Sequence, residues 1–389
     1  MLFVLILALA YLLYGVLEYR FHLRNLQAVP IRVHVNGTRG KSSVTRLIAA
    51  GLRAGGIRTS AKTTGSAARY IHPDGSEDVV SRPGPPNIRE QIGVVYQAAR
   101  EGSQALVIEC MALRPELQFL SERRIVKAGV GVITNARPDH LDVMGPTVDD
   151  VAAALAGTVP KGTAIYTAEH ERNAPMREAA EELASEYHEI HEKDYPADIA
   201  HGFGYVEHRE NIALALAVCE KLGVPQDVAL KGMRTATPDI GALTIQRVSI
   251  DGKSLEFVNA FAANDRESTA AVWNAVEPRS DADRTVIGIV SMRADRPDRV
   301  LQFGEIVAKD LDADHFILTG GMTGTVKSTA MKLGVPASKL IDLGGRSASE
   351  VFQKTLELTT DRSIVIGVGN IGGTGGQIVS LFRERSEPS

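Results

Sequence analysis

The stretch His34 to Leu47, HVNGTRGKSSVTRL, decides how the rest of the chain is read. Before and through it, Ile31, Val33 and Val35 alternate with polar residues as in a strand; after it, Val44, Leu47, Ile48, Gly51 and Leu52 follow helical spacing. The motif thus stands between a strand and a helix. In that setting glycines let successive backbone N–H groups turn inward onto phosphate oxygens, and the helix N-terminus adds its positive dipole. Lys41 would reach the β and γ phosphates, and the Ser42 hydroxyl would ligate Mg²⁺. The ordinary loop, G-x-x-x-x-G-K-[ST], has its first glycine where Val35 stands here, and the nearest upstream glycine is Gly37. A plain glycine-bearing turn is the competing reading. The coincidence of strand, loop, Lys-Ser pair and helix favours the phosphate loop.

Further short apolar runs, ALVIEC (105 to 110), GVGVITN (129 to 135) and TAIYT (163 to 167), are separated by stretches of crossover length. That pattern predicts a doubly wound α/β domain, a parallel sheet with helices on both faces. After ENIALALAVCEKLG comes a loop-like passage, TATPDIGALT, and then the strand-like SLEFVNAF. A domain boundary is therefore expected near residue 245. Beyond it RTVIGIVS, HFILTGG and SIVIGVGN repeat the buried-strand pattern, so a smaller, Rossmann-like second α/β domain is expected over 246–389. The polar tail RERSEPS is the one segment read as disordered.

The 389 residues suffice for two domains, and a net charge of -4 excludes nucleic-acid binding through bulk charge. Only Cys110 and Cys219 occur, which argues against a disulfide framework and for a reducing compartment. The first 17 residues, MLFVLILALAYLLYGVL, are uncharged and are followed by Glu18, Arg20, His22 and Arg24. This is a single-pass membrane segment of near-minimal length, taken as an anchor over 1–24, with a cleaved signal or a buried helix as the other readings. Basic residues after the segment place the body, beginning with a domain over 25–245, on the cytoplasmic side of the cell membrane.

The loop N-G-T-x-G-K-S, with glycines at Gly37 and Gly40, resembles the ATP-binding loop of the Mur ligase superfamily, whose members join a carboxylate to an amine at the expense of ATP. The resemblance implies nucleotide contacts from Asn36, Gly37, Thr38, Arg39, Gly40, Lys41, Ser42 and Ser43. Glu109, at the end of ALVIEC, matches the family's magnesium-ligating glutamate, and a carboxylate at a strand's C-terminal end faces the phosphates in a doubly wound fold. TNARPDHLD resembles the family's T-N-x-x-x-D-H-L-D, so His140 is expected at a second Mg²⁺; HRENIALALA resembles the helix whose asparagine, here Asn211, contacts adenine. Lys41, Glu109 and His140 are thus the expected catalytic set. Taken singly they read otherwise: Glu109 as a surface carboxylate, His140 as a capping or core histidine, Asn211 as an N-cap.

Two departures are visible. Where relatives carry D-x-Y-A-H-N-P this chain has NAFAAND (259 to 265), and no lysine is assigned as the carbamylated residue of many relatives. The short distance from apolar segment to loop leaves no room for the N-terminal domain of the cell-wall members. With ECMALRPE and RPGPPNIRE, this resembles the ligase subunits of poly-γ-glutamate synthases. That likeness implies glutamate and poly-γ-glutamate as substrates, further membrane subunits as partners and a possible homo-oligomer. Arg82, Arg89 and Arg114 are expected as carboxylate clamps or, equally, as solvated surface arginines. A folate polyglutamylating ligase and a membrane-tethered NTPase are the alternatives. GVGNIGG (367 to 373) matches G-x-G-x-x-G but is read as the last strand and turn of the second sheet, and Cys110 as packing.

Overall fold

The computed structural model describes residues 1–389 apart from 65–67, 83, 204, 206, 239–242, 251, 265, 277–280, 282, 295–296 and 387–389. Part of the TATPDIGALT passage, Pro83 of RPGPPNIRE, the Asp265 that ends NAFAAND and the last three residues of RERSEPS therefore lie outside the described residues. The chain forms two compact units, one built from Met1–Phe203 with Glu207–Thr237, the other over Pro238–Ser389.

The first unit carries an eight-stranded sheet in the order β4-β3-β2-β5-β1-β6-β7-β8. The strands are β1 Ile31–Asn36, β2 Thr59–Lys62, β3 Arg69–Ile71, β4 Glu77–Val79, β5 Ala105–Glu109, β6 Val130–Ile133, β7 Ala164–Thr167 and β8 Glu186–Glu189. β2, β5, β1, β6, β7 and β8 run parallel. The expectation of a purely parallel sheet is corrected at one edge, where β3 and β4 return antiparallel. Both faces of the central strands are covered. Val107 joins the core around helix Lys41–Ala54, while its neighbours Leu106 and Ile108 face the opposite core with Val94, Val95 and Val126. Alternate residues serving opposite cores is why these strands read as continuous apolar runs. Helix Lys41–Ala54 buries Val44, Leu47, Ile48, Gly51 and Leu52, and Gly51 lies so close to Cys219 that an added Cβ would stand 2.7 Å from its Sγ.

The second unit carries a six-stranded sheet in the order β13-β12-β11-β14-β10-β9. Its strands are β9 Thr244–Ile250, β10 Lys253–Ala260, β11 Thr285–Met292, β12 His315–Gly320, β13 Leu340–Gly344 and β14 Arg362–Gly369. β9 pairs antiparallel with β10 from Thr244↔Asn259 to Lys253↔Ile250. The division between the units falls after Thr237, ahead of the expected residue 245 and within the loop-like TATPDIGALT passage, and TIQRVSI, which follows it, is an edge strand of the second sheet. GVGNIGG occupies the end of central β14 and the turn into helix Thr374–Arg383. The expected disorder of RERSEPS does not hold for its first residues: Arg383 ends that helix and Ser386 bridges Val248.

The apolar N-terminal segment is helix Leu2–Ala28, with a most apolar window of mean hydropathy 2.1 that is 0% buried. Its length and composition are enough to cross a membrane. The helix runs past the expected end of the anchor at residue 24, and its last turns are part of the folded body. His22 and Leu26 are buried, and His22 Nε2 lies 2.8 Å from the Ile125 carbonyl. Arg32 completes the joint, donating to the carbonyls of Leu26, Val29, Val126 and Lys127.

Candidate active site

β5 and β6 flank β1; the chain leaves β1 toward β2 on one side and leaves β5 toward β6 on the other, so their C-terminal ends form a topological switch point. The loop of residues 37 to 40 sits there. Gly37 (φ +130) and Gly40 (φ +79) adopt backbone conformations that L side chains rarely take. A Cβ on Gly37 would collide with Thr134 Oγ1, and one on Gly40 would stand 2.7 Å from Asn211 Oδ1. The segment after β6 staples the loop from the side. Asn135 accepts from Thr38 Oγ1 (2.7 Å) and the Arg39 amide (3.1 Å) through Oδ1, while Thr134 Oγ1 donates to the Arg39 carbonyl at 2.6 Å.

Lys41 Nζ donates to the carbonyls of Gly37 (2.7 Å) and Thr38 (3.2 Å), so the ammonium is held over the loop. Ser42 Oγ donates to Glu109 Oε2 at 2.8 Å. Glu109 is 3% exposed and also accepts from the Thr64 amide (2.7 Å) and Thr64 Oγ1 (2.5 Å). A hydroxyl and a carboxylate in contact are hard oxygen donors suited to Mg²⁺, so these residues fit the expected ion. Asn211, three residues into helix Arg209–Lys221, is buried, donates to Glu207 Oε1 at 2.8 Å and borders Gly40. Ser43 follows in the first helical turn, half-buried. Asn36 turns its side chain under the loop, donating to Gln118 (2.7 Å) and Thr158 (3.1 Å). His140 has a left-handed backbone (φ +47) before the short helix Leu141–Met144, and its Nε2 lies 3.9 Å from Asp139, which also pairs with Arg39.

The three arginines are held by carboxylates of their own chain. Arg82 grips Glu90 through Nε (2.5 Å) and a second nitrogen (3.1 Å); Arg89 pairs with Glu18 of the N-terminal helix, Arg114 with Glu116. Arg89 and Arg114 are 66% and 68% exposed. Sequence reasoning missed Lys62, at the end of β2 beside β5. Its fully buried Nζ lies 2.7 Å from Glu90. Burial pulls that ammonium below its usual range, against the raising charges of Glu90 and Glu109. Thr64, which supports Glu109, and Thr134 and Asn135, which support the loop, were also missed, although the T-N pair was in view as the start of the His140 motif. Under the loop, His34 on β1 lies 2.8 Å from Glu122. Burial opposes its protonation, but Cys110 and Glu122 prevail and push it to about 9.

Comparisons with known proteins follow this geometry. Residues 35–233 match the Mur ligase middle domain, and residues 245–385 match the poly-gamma-glutamate synthase CapB C-terminal domain. The chain is 38% identical over 375 residues to the capsule biosynthesis protein CapB of Bacillus anthracis, covering 96% of this chain and 81% of that protein. It is 36% identical over 383 residues to the PGA synthase CapB of Bacillus subtilis strain 168, covering 98% and 97%. Among solved structures, folylpolyglutamate synthase from Thermotoga maritima superposes with a TM-score of 0.64 at 13% identity, covering 97% and 96%. Mycobacterium tuberculosis folylpolyglutamate synthase complexed with ADP gives 0.67 at 14%, covering 96% and 95%. At these identities the structural likeness establishes the fold.

Proposed function

The chain belongs to the Mur ligase family, and from that premise we propose that it is an ATP-dependent ligase that joins glutamate into poly-γ-glutamate. The observation that carries the reading is the meeting of Ser42 and Glu109, 2.8 Å apart, at the start of the helix that Lys41 opens. Lys41 and the backbone N–H groups of the loop bind the ATP phosphates. Ser42 and Glu109 would hold Mg²⁺, with His140 as the candidate ligand of a second ion, and the metal would supply charge neutralisation on the transferring phosphoryl group. Asn211, fixed by Glu207 beside Gly40, is the candidate contact for the adenine.

A γ-carboxylate oxygen of one glutamate attacks the γ-phosphorus of ATP, and the bond to the bridging oxygen breaks to release ADP. The resulting acyl phosphate has an electrophilic carbon that a carboxylate anion lacks. The amine of a second glutamate attacks it, loses a proton, and inorganic phosphate departs with the oxygen that made the first bond. Arg89 and Arg114, paired to exposed carboxylates, are the candidates for exchanging partners with a polyanionic product. The apolar helix anchors the enzyme in the cell membrane with both units on the cytoplasmic side.

Glutamate carrying heavy oxygen in its γ-carboxylate tests the chemistry. It is expected to pass one label into inorganic phosphate for each bond made, with ADP as the nucleotide product. Label in AMP would instead show adenylation, and label in neither product would leave an NTPase without ligase chemistry.

A further inference from the structure

β7 and β8 end side by side, Thr167 paired with Glu189, so the segments that follow them leave the sheet together. One carries AEHERN (168 to 173) and the other begins EIHEKD (189 to 194). His170 Nδ1 lies 2.9 Å from Glu189 Oε1, and His191 Nε2 lies 3.7 Å from the same oxygen. The two imidazoles are stacked, centroids 4.2 Å apart and planes 11° from parallel. One donor atom from each residue falls within 4.8 Å of the others.

We propose that His170, Glu189 and His191 bind a divalent transition metal ion of the Zn²⁺ class, at a site chemically separate from the Mg²⁺ position at Ser42 and Glu109. Two imidazole nitrogens with one carboxylate oxygen form a donor set that suits Zn²⁺ and its first-row neighbours, whereas Mg²⁺ takes oxygen and water.

The surroundings hold the donors in place. The second carboxylate oxygen of Glu189 accepts from Asn173 Nδ2 (2.9 Å) and Arg177 (3.4 Å), which leaves Oε1 turned to the histidines. Such outer contacts orient a ligating carboxylate. The His170 segment is pinned by Glu169, 2% exposed, which accepts from the amides of Ala136, Glu171 and Arg172. The Ile190 amide donates to the Thr167 carbonyl at 2.8 Å, fixing the backbone between Glu189 and His191. Three protein ligands leave a fourth position for water.

The test is equilibrium dialysis of the full chain in detergent against micromolar Zn²⁺, with Mg²⁺ in large excess to hold the oxygen site. Wild type is expected to retain one Zn²⁺ per chain more than the His170→Ala/His191→Ala double variant, and Glu189→Gln to bind about 10 to 100-fold more weakly. Equal retention by wild type and double variant would overturn the proposal, as would loss of the Zn²⁺ in Glu109→Gln. Should the double variant fail to fold, wild type loaded with Cu²⁺ decides: its electron paramagnetic resonance is expected to show coupling to two nitrogens, and a spectrum without nitrogen coupling sinks the site.

Discussion

Glu109 gathers a hydroxyl, a second hydroxyl and an amide onto one buried carboxylate, which ties it to Ser42 at the start of the helix and to Thr64. Replacing it by Gln keeps the shape and removes the charge, so Glu109→Gln is expected to raise the Mg²⁺ concentration for half-maximal activity at least tenfold, with a smaller change in ATP affinity. An unchanged magnesium titration would return Glu109 to a structural role. Asn135→Ala removes the acceptor for Thr38 and Arg39, which should raise the KM for ATP several-fold and leave the melting temperature of the second unit untouched. His34 gives a pH signature. Its folded pKa, about 9, lies above the ordinary histidine value of 6.5, so its stabilising contribution is full below about pH 6.5 and is lost as pH rises through 9. The first unit should therefore lose on the order of 3 kcal/mol across that window, and His34→Gln should flatten the slope. Lys41, Ser42 and Glu109 were legible because consecutive residues or a strand end fix their positions. Lys62 and Asn135 were not, since their roles arise only when β2 and β6 are brought beside the loop by sheet order.

The N-terminal helix is one element with two environments. Up to Leu17 its large apolar side chains are exposed, while Phe21 packs on Tyr96 and His22 reaches Ile125. A charge-free run was enough to find the first half; nothing in the run itself showed that the second half ends inside the body. Removing residues 2–17 is therefore expected to yield a soluble protein with a nearly unchanged melting temperature and intact ATP binding. Removing residues 2–24 also strips His22 and Leu23, orphans the Ile125 carbonyl and should cost about 2 kcal/mol more. Equal melting temperatures for the two truncations would show that the joint contributes nothing. The elements that escaped sequence reading share a cause. β3 and β4 are three residues each, too short to display a period, and β9, TIQRVSI, is an edge strand whose polar residues interrupt any apolar run. Doubly covered strands such as β5, β11 and β14 were plain in the sequence because burial on both faces demands an unbroken apolar run.

Over the whole molecule, each unit has its own sheet and its own apolar cores. Val258, Val290, Phe303 and Val368 pack on one face of the second sheet, and Phe257, Ile289, Phe352 and Phe382 on the other. This chain's NAFAAND stands within this unit where relatives carry D-x-Y-A-H-N-P, and Asn259, its first residue, is 2% exposed near the end of β10. The histidine and proline of that pattern are missing, yet the strand that carries Asn259 is paired with β14 and β9, so the departure leaves the architecture intact. The loop, Ser42, Glu109, His140 and Asn211 all belong to the first unit. A division of labour follows that calorimetry can read. Residues 238–389 produced alone are expected to melt cooperatively, since both faces of their sheet are covered from within. A non-hydrolysable ATP analogue with Mg²⁺ should leave that transition where it is. In the full chain the same ligand at 100 times its Kd should stabilise the first unit by about 2.7 kcal/mol, and Lys41→Ala should erase most of that shift. A ligand-induced rise in the isolated second unit, or a full-chain rise that survives Lys41→Ala, would move the nucleotide site away from the loop.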